Sequence, residues 1–162
     1  MTLISEEYRA LQRSLHNDRR YGQSAHKHAP EVLKTGYTDI LDYGCGKRSL
    51  QKVLGFPIAC YDPAIESFAD PPEPHDFVFC GDVLEHIEPE CLDEVLKDIK
   101  RCMKKEGLLI ISTRKANRVL PDGRNAHLII ESAKWWRQKL SRYFDITFMG
   151  STGDDVTFYV KV

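Results

Sequence analysis

The chain has 162 residues, 24 acidic side chains against 23 lysines and arginines, a net charge of −1 and 42% hydrophobic content. That is enough for one domain, residues 1–162, with a substantial core. Near neutrality excludes a strongly basic nucleic-acid binder and leaves room only for a local basic patch. No apolar run approaches the roughly 18 residues that span a bilayer. The acids of "MTLISEEYRA" interrupt the apolar stretch a secretory leader would continue, so no membrane association and a cytoplasmic location are expected. The five cysteines (Cys45, Cys60, Cys80, Cys91, Cys102) form no C-x-x-C pair. They read as small buried hydrophobes in a reducing compartment, and no metal site is expected.

Residues 1–35 read as a polar helical cap. Ser5 caps "SEEYRALQRSLH", which places Tyr8, Leu11 and Leu15 at helical spacing, and "PEVLKTG" is a short helix stopped by Gly36. Residues 36–162 alternate strands and helices: "TDILDYG" strand, "RSLQKVLG" helix, "FPIACYD" strand, "HDFVFCGD" strand. The strongest helix follows over "PECLDEVLKDIKRCMKKEG", with Leu92, Val95, Leu96, Ile99, Cys102 and Met103 as its apolar stripe. Lys104 and Lys105 stand at its negative end and Gly107 is expected to stop it. "LLIIST" lacks alternation, as a strand covered on both faces does. After "ESAKWWRQKLSRYF", a helix, "DITFMG" and "DVTFYVKV" read as an antiparallel hairpin. The expected fold is a three-layer α/β/α sandwich, a mostly parallel twisted sheet ending in an antiparallel hairpin.

In such sheets ligands bind beyond the carboxyl ends of the strands. The loop "DYGCGK" lies there, and Gly44 and Gly46 serve either a tight turn or a close backbone approach to a ligand. The second strand ends at Asp62, an acid placed to accept hydrogen bonds from ribose hydroxyls; the plain alternative is an Asp before Pro starting a helix. Together they point to a nucleoside-bearing cofactor. A dinucleotide site would want a further glycine, and the run continues Lys47, Arg48, Ser49 instead, so NAD is the weaker reading.

"ILDYGCGKRSL", "CYDPAI", "HDFVFCGDVLEHIEPECLDEVLKDIKRCMKKEGLLIIST" and "AHLIIESAKWWRQKLSRYFDITF" resemble, in that order, the class I S-adenosylmethionine-dependent methyltransferases, over roughly Thr38 to Val162. "DVLEHI" is similar to the small-molecule branch. The resemblance implies S-adenosylmethionine as cofactor, with Asp42, Gly44 and Gly46 around its methionine part, Asp62 on the ribose, Pro63 beside the adenine, and Asp82 and Val83 facing the sulfonium and the acceptor. Two departures stand out. Arg48 occupies the family's third glycine position, and only "PAIESFADPPEP" separates Asp62 from Phe77, so the third strand is reduced or absent. Asp70 is then the candidate for the acid that meets the adenine amino group. Asp70, Pro71 and Pro72 precede the next strand and are followed by Glu73 rather than an aromatic residue, so they read as a rigid turn and not as a base-holding motif.

Methyl transfer needs alignment and, for a protonated acceptor, a base. His86 and His127 are the two candidates; the alternatives are a helix-capping or supporting role for His86 and a plain surface-loop position for His127. Tyr21 is placed to close over the pocket and Glu85 to contact the acceptor. The loop Arg114 to Arg124 carries Arg114, Lys115, Arg118 and Arg124. Unless it is merely a solvated face, it favours an acceptor with phosphate or carboxylate groups, Arg114 and Arg124 being the anion contacts. Trp136, Leu140 and Phe144 share a core face, whereas Trp135 stands off it as an acceptor platform or a dimer contact. The expected activity is methyl transfer to a small, anionic acceptor by a monomer or homodimer. The alternatives are a nucleotide or nucleic-acid acceptor, or an inactive methyltransferase-like binding protein.

Overall fold

Six apolar segments pair into one sheet in a computed structural model that describes residues 2–162. They are β1 (Ile40–Tyr43), β2 (Ala59–Tyr61), β3 (His75–Gly81), β4 (Met103–Ser112), β5 (Asp145–Thr152) and β6 (Asp155–Lys161), ordered β2-β1-β3-β4-β6-β5. β1 lies parallel to β2 and β3, β3 parallel to β4, and β6 runs antiparallel between β4 and β5. The strand order reverses at β1, which puts a crevice beyond the tips of β1, β2 and β3.

The helices α1 (Glu6–Leu15), α2 (Ala29–Lys34), α3 (Ser49–Leu54), α4 (Leu92–Cys102) and α5 (Ala133–Leu140) cover both faces. Alternate residues of the same strands feed two separate cores. Leu41, Val78, Cys80, Leu109 and Ile111 pack with α4 and α5, while Ile40, Phe77, Phe79, Leu108 and Ile110 pack with α2 and α3. This is why β3 and β4 show no polar alternation. An 11-residue helix such as α4 is marginal alone. Burying Leu92, Val95, Leu96 and Ile99, at about 1.5–3 kcal/mol each, holds it.

One boundary differs from the sequence reading. The helix expected to reach Gly107 ends at Cys102; Met103 is already extended (φ −103°, ψ 119°) and pairs with His75. Lys104 and Lys105 leave from a strand and meet Asp39 (3.9 Å) and Asp76 (2.6 Å). Gly107 lies inside β4, where a Cβ would come within 2.4 Å of Met103 Cε and 3.0 Å of Val78 O. It is a close-packing glycine and not a helix stop. Pairing along the whole of β3 satisfies backbone groups that a longer helix would leave to water.

Among the described residues no strand lies between β2 and β3. The segment forms a 3-10 turn over Glu66–Phe68, folded back by Asp62 N–H donating to Phe68 O at 2.9 Å. β2 is therefore the sheet edge. No helix of the described residues is long and apolar enough to cross a membrane.

Candidate active site

A cavity of about 340 Å³ opens over the tips of β1, β2 and β3. Gly44 and Gly46 floor it, Asp62, Pro63 and Ala64 form one side, and Asp82, Val83 and His86 form the other. Both glycines are left-handed, with φ of 84° and 49°. What crowds them is the protein itself. A Cβ on Gly44 would sit 2.3 Å from Val83 Cγ2, and one on Gly46 would sit 2.5 Å from Gly22 O. Gly22 belongs to the segment after α1, which lies directly on the glycine loop and accepts the Lys47 N–H at 2.9 Å.

Asp62 is 8% exposed and bridges the floor. Its Oδ2 accepts Gly46 N–H at 3.1 Å and its Oδ1 accepts Ala64 N–H at 3.0 Å. Burial raises its pKa, opposed by these backbone donors and by His16. His16 stands across from it, Nε2 to Oδ2 4.0 Å, and its Nδ1 is buried without a hydrogen-bond partner among the described residues. Asp42 lies on β1 beneath the loop, 1% exposed, outside the cavity wall. Burial pushes its carboxyl well above the usual range, and Cys60 and Asp62 add to the shift.

Arg48 keeps the backbone a glycine would take. At φ 58°, ψ 36° it caps α3 in the left-handed region, a conformation costing a non-glycine residue roughly 1–2 kcal/mol. Its guanidinium turns away from the cavity to lie 5.2 Å above the Phe68 ring, in the shortened segment after β2.

Asp82 is the other left-handed non-glycine residue, at φ 58°. Its Oδ2 accepts Ser24 Oγ–H at 2.9 Å and meets Lys27 Nζ at 2.9 Å and His28 Nε2 at 3.3 Å. Burial works to raise its pKa, but the hydrogen bonds and charges of His28 and Lys27 outweigh it and hold the carboxyl well below its usual range. The tip of β3 is thus tied to the segment leading into α2.

The N-terminal segment supplies the roof. Tyr8 O–H donates to His86 O at 2.8 Å, Gln12 Nε2 donates to Tyr8 Oη at 2.7 Å, and Tyr21 O–H donates to Gln12 Oε1 at 2.7 Å. α1 itself is anchored by Glu88, which accepts from Ser5 N (2.8 Å) and Ser5 Oγ (2.6 Å). Arg20 and Arg118 also line the cavity. Arg118 pairs with Asp18 at 2.9 Å and lies over the Tyr21 ring at 5.2 Å, while Arg20 has no carboxylate partner among the described residues.

His86 and His127 meet edge to face, with ring centroids 4.7 Å apart. His86 lines the cavity and its Nδ1 lies 2.7 Å from Ala126 O; His127 is 9% exposed, with Nδ1 2.6 Å from Arg114 O. Burial, with His127 adding to it, lowers the His86 pKa to about 4. Glu85 is fully buried off the cavity wall, its Oε1 accepting Ser112 N–H at 3.1 Å, and burial pushes its pKa up to about 8.

Of the residues read from the sequence, Tyr21, Gly44, Gly46, Asp62, Pro63, Asp82, Val83 and His86 share this one cavity. Others lie elsewhere. Asp70 is exposed on the turn after the Glu66–Phe68 segment and lies outside the cavity. Arg114 turns to Lys115 O and Asp154, and Arg124 pairs with Asp122 at 2.7 Å beside Tyr8 and Glu88. Trp135 packs edge to face on Trp136, away from the cavity. Tyr8, Gln12, His16 and Arg20 line the wall without a motif that marks them in the sequence, and of the basic loop Arg118, not Arg114 or Arg124, lines the cavity.

A family model described as a methyltransferase domain matches residues 9–151. The chain belongs to that methyltransferase family. The match begins within α1, so it extends past the sheet into the N-terminal segment. Solved structures share the fold at low identity. A DhpI–S-adenosylhomocysteine complex is 17% identical with a TM-score of 0.66, over 95% of this chain and 92% of that one. The 1,6-didemethyltoxoflavin-N1-methyltransferase of Burkholderia thailandensis, with 1,6-didemethyltoxoflavin and S-adenosylhomocysteine bound, is 14% identical with a TM-score of 0.67, over 99% and 92%. The magnesium protoporphyrin IX methyltransferase of Synechocystis PCC 6803 is 15% identical with a TM-score of 0.62, over 99% and 89%. No curated protein sequence matches the chain.

Proposed function

We propose that this methyltransferase uses S-adenosylmethionine to methylate a small acceptor that carries an anionic group. The observation that carries the reading is the union, in one cavity, of the Gly44–Gly46 floor and Asp62 with Arg20 and Arg118. The residues fit such a cofactor. Each Asp62 oxygen accepts one backbone N–H, which leaves lone pairs for two ribose hydroxyls. His16 lines the same space, its Nδ1 buried against Gly22 without a partner among the described residues. Asp62 would hold the ribose, with His16 beside it and Pro63 and Ala64 along the adenine.

The cofactor supplies an electrophilic methyl group on a sulfonium; the chain's own residues bind, orient and exclude water. Arg20 and Arg118 would hold the acceptor's anion at the roof, a task for which planar guanidinium groups suit carboxylate or phosphate. Val83 would shape the wall where acceptor and methyl meet. His86 and His127 are the candidates to take a proton from an O–H or N–H acceptor. The Nδ1 atoms face carbonyl oxygens, which can only accept, so Nδ1 carries the hydrogen and Nε2 the lone pair in each neutral ring. Small acceptors also suit a roof built from one helix and a short segment, and 1,6-didemethyltoxoflavin, bound in one structural neighbour, is of that size class.

Calorimetric titration with S-adenosylmethionine, S-adenosylhomocysteine and NAD tests the cofactor. Micromolar binding of the two sulfur compounds and none of NAD is expected; no binding of either sulfur compound would overturn the reading. The acceptor class is tested by screening matched compounds with and without a carboxylate or phosphate, turnover being expected only for the anionic members.

A further inference from the structure

Three side chains able to ligate a metal gather beside the cavity: Glu85, His86 and His127. Glu85 Oε2 is fully buried and has no hydrogen-bond partner among the described residues. His86 and His127 each commit Nδ1–H to a backbone carbonyl, at 2.7 and 2.6 Å, so both rings turn an Nε2 lone pair outward. One donor atom from each of the three residues lies within 4.8 Å of the others. A buried acceptor without a donor is costly, and Glu85 Oε2, close to two imidazoles, calls for a positive centre.

We propose that Glu85, His86 and His127 bind a divalent transition-metal ion. Two neutral imidazoles and a carboxylate are a ligand set for zinc, iron, cobalt or nickel in the divalent state, and it leaves coordination positions open. Two features belong to metal sites rather than to isolated histidines. Each imidazole is oriented through its far nitrogen by a main-chain carbonyl, the usual outer support of a metal-bound histidine. Glu85 is in turn held by Ser112 N–H on Oε1, which frees only Oε2. Bonds of about 2.0–2.2 Å would draw the three atoms inward. His86 also lines the cavity, so the ion would adjoin the acceptor space. There it would polarise an acceptor hydroxyl and ease loss of its proton to water, and the two histidines would act as ligands in place of bases.

The alternative occupant is a proton, with Glu85 as a neutral acid donating to one imidazole. The two are separated by titrating untagged full-length protein with Co²⁺ in the absence of any methyl donor and following visible absorption. Saturable binding of about one ion per chain is expected. Affinity should fall by more than about tenfold in Glu85→Gln and in His127→Gln. An absence of saturable absorption in the wild type would overturn the proposal, as would unchanged Co²⁺ affinity in the variants. Far-UV circular dichroism and melting establish that each variant is folded. His127 lies in the loop after β4, so His127→Gln decides the matter if the buried Glu85→Gln fails to fold. S-adenosylmethionine titrated into the metal-free protein reports on the methyltransferase reading separately.

Discussion

The floor and the roof of the cavity are built by different means. The floor is local. Gly44, Gly46, Asp62 and Asp82 stand at the tips of three adjacent strands, positioned by the pairing of β1 with β2 and β3. The roof is assembled across the chain. Tyr8, Gln12 and Tyr21 reach His86 by side-chain hydrogen bonds, Gly22 rests on Gly46, and Arg118 comes from the loop after β4. A strand tip is fixed by the backbone ladder and needs the right residue only at one position. A roof held by side chains depends on several contacts at once, so its residues cannot be read from one short motif.

That contrast can be broken from either side. The largest effect is expected at the floor. Asp62→Ala removes charge-assisted hydrogen bonds worth about 1.5–3 kcal/mol each, so calorimetry should show S-adenosylmethionine affinity falling by roughly 10–100-fold or more in a folded protein. Unchanged affinity would mean that Asp62 serves only Gly46 and Ala64.

Next comes the latch between them. Asp82→Asn weakens the ties to Lys27 and His28 and should lower unfolding free energy at neutral pH by about 1–3 kcal/mol. The native carboxyl is held below its ordinary value, so its contribution is complete above about pH 4 and lost as pH falls further. Wild type and variant should therefore converge in stability in acid, measured by denaturant melts across pH.

At the roof, Arg118→Ala and Arg20→Ala should each raise the acceptor KM by roughly 5–10-fold, about 1 kcal/mol, with cofactor affinity unchanged. A loss of cofactor affinity instead would place these arginines on the methyl donor. The smallest effect is expected at Arg48→Gly, where relief of the left-handed backbone and loss of the Phe68 contact, each about 1 kcal/mol, oppose one another. Thermal melts should shift by only a few degrees.

The sequence by itself determined the α/β class, the strands in chain order, the C-terminal hairpin and an acid at the tip of the second strand, because apolar runs and an acid after a strand are local signals, and its resemblance to the family added the reduced or absent third strand. It also exposed Arg48 as the departure from the glycine pattern. Tertiary structure decided the rest. Lys104, Lys105 and Gly107 look like a helix end in isolation, and only the partner strand β3 makes them part of β4. Gly46 looks like a space for a ligand, and only the fold brings Gly22 O against it. Arg114, Arg118 and Arg124 are equivalent as letters, yet each meets a different aspartate, Asp154, Asp18 and Asp122, and only the pairing with Asp18 on the N-terminal segment brings an arginine of the three to the cavity. Glu85, His86 and His127 meet because a loop returns across the tips of β3 and β4. Local sequence sets backbone conformation and burial pattern, while the meeting of distant side chains depends on loop closure and packing that no short stretch encodes.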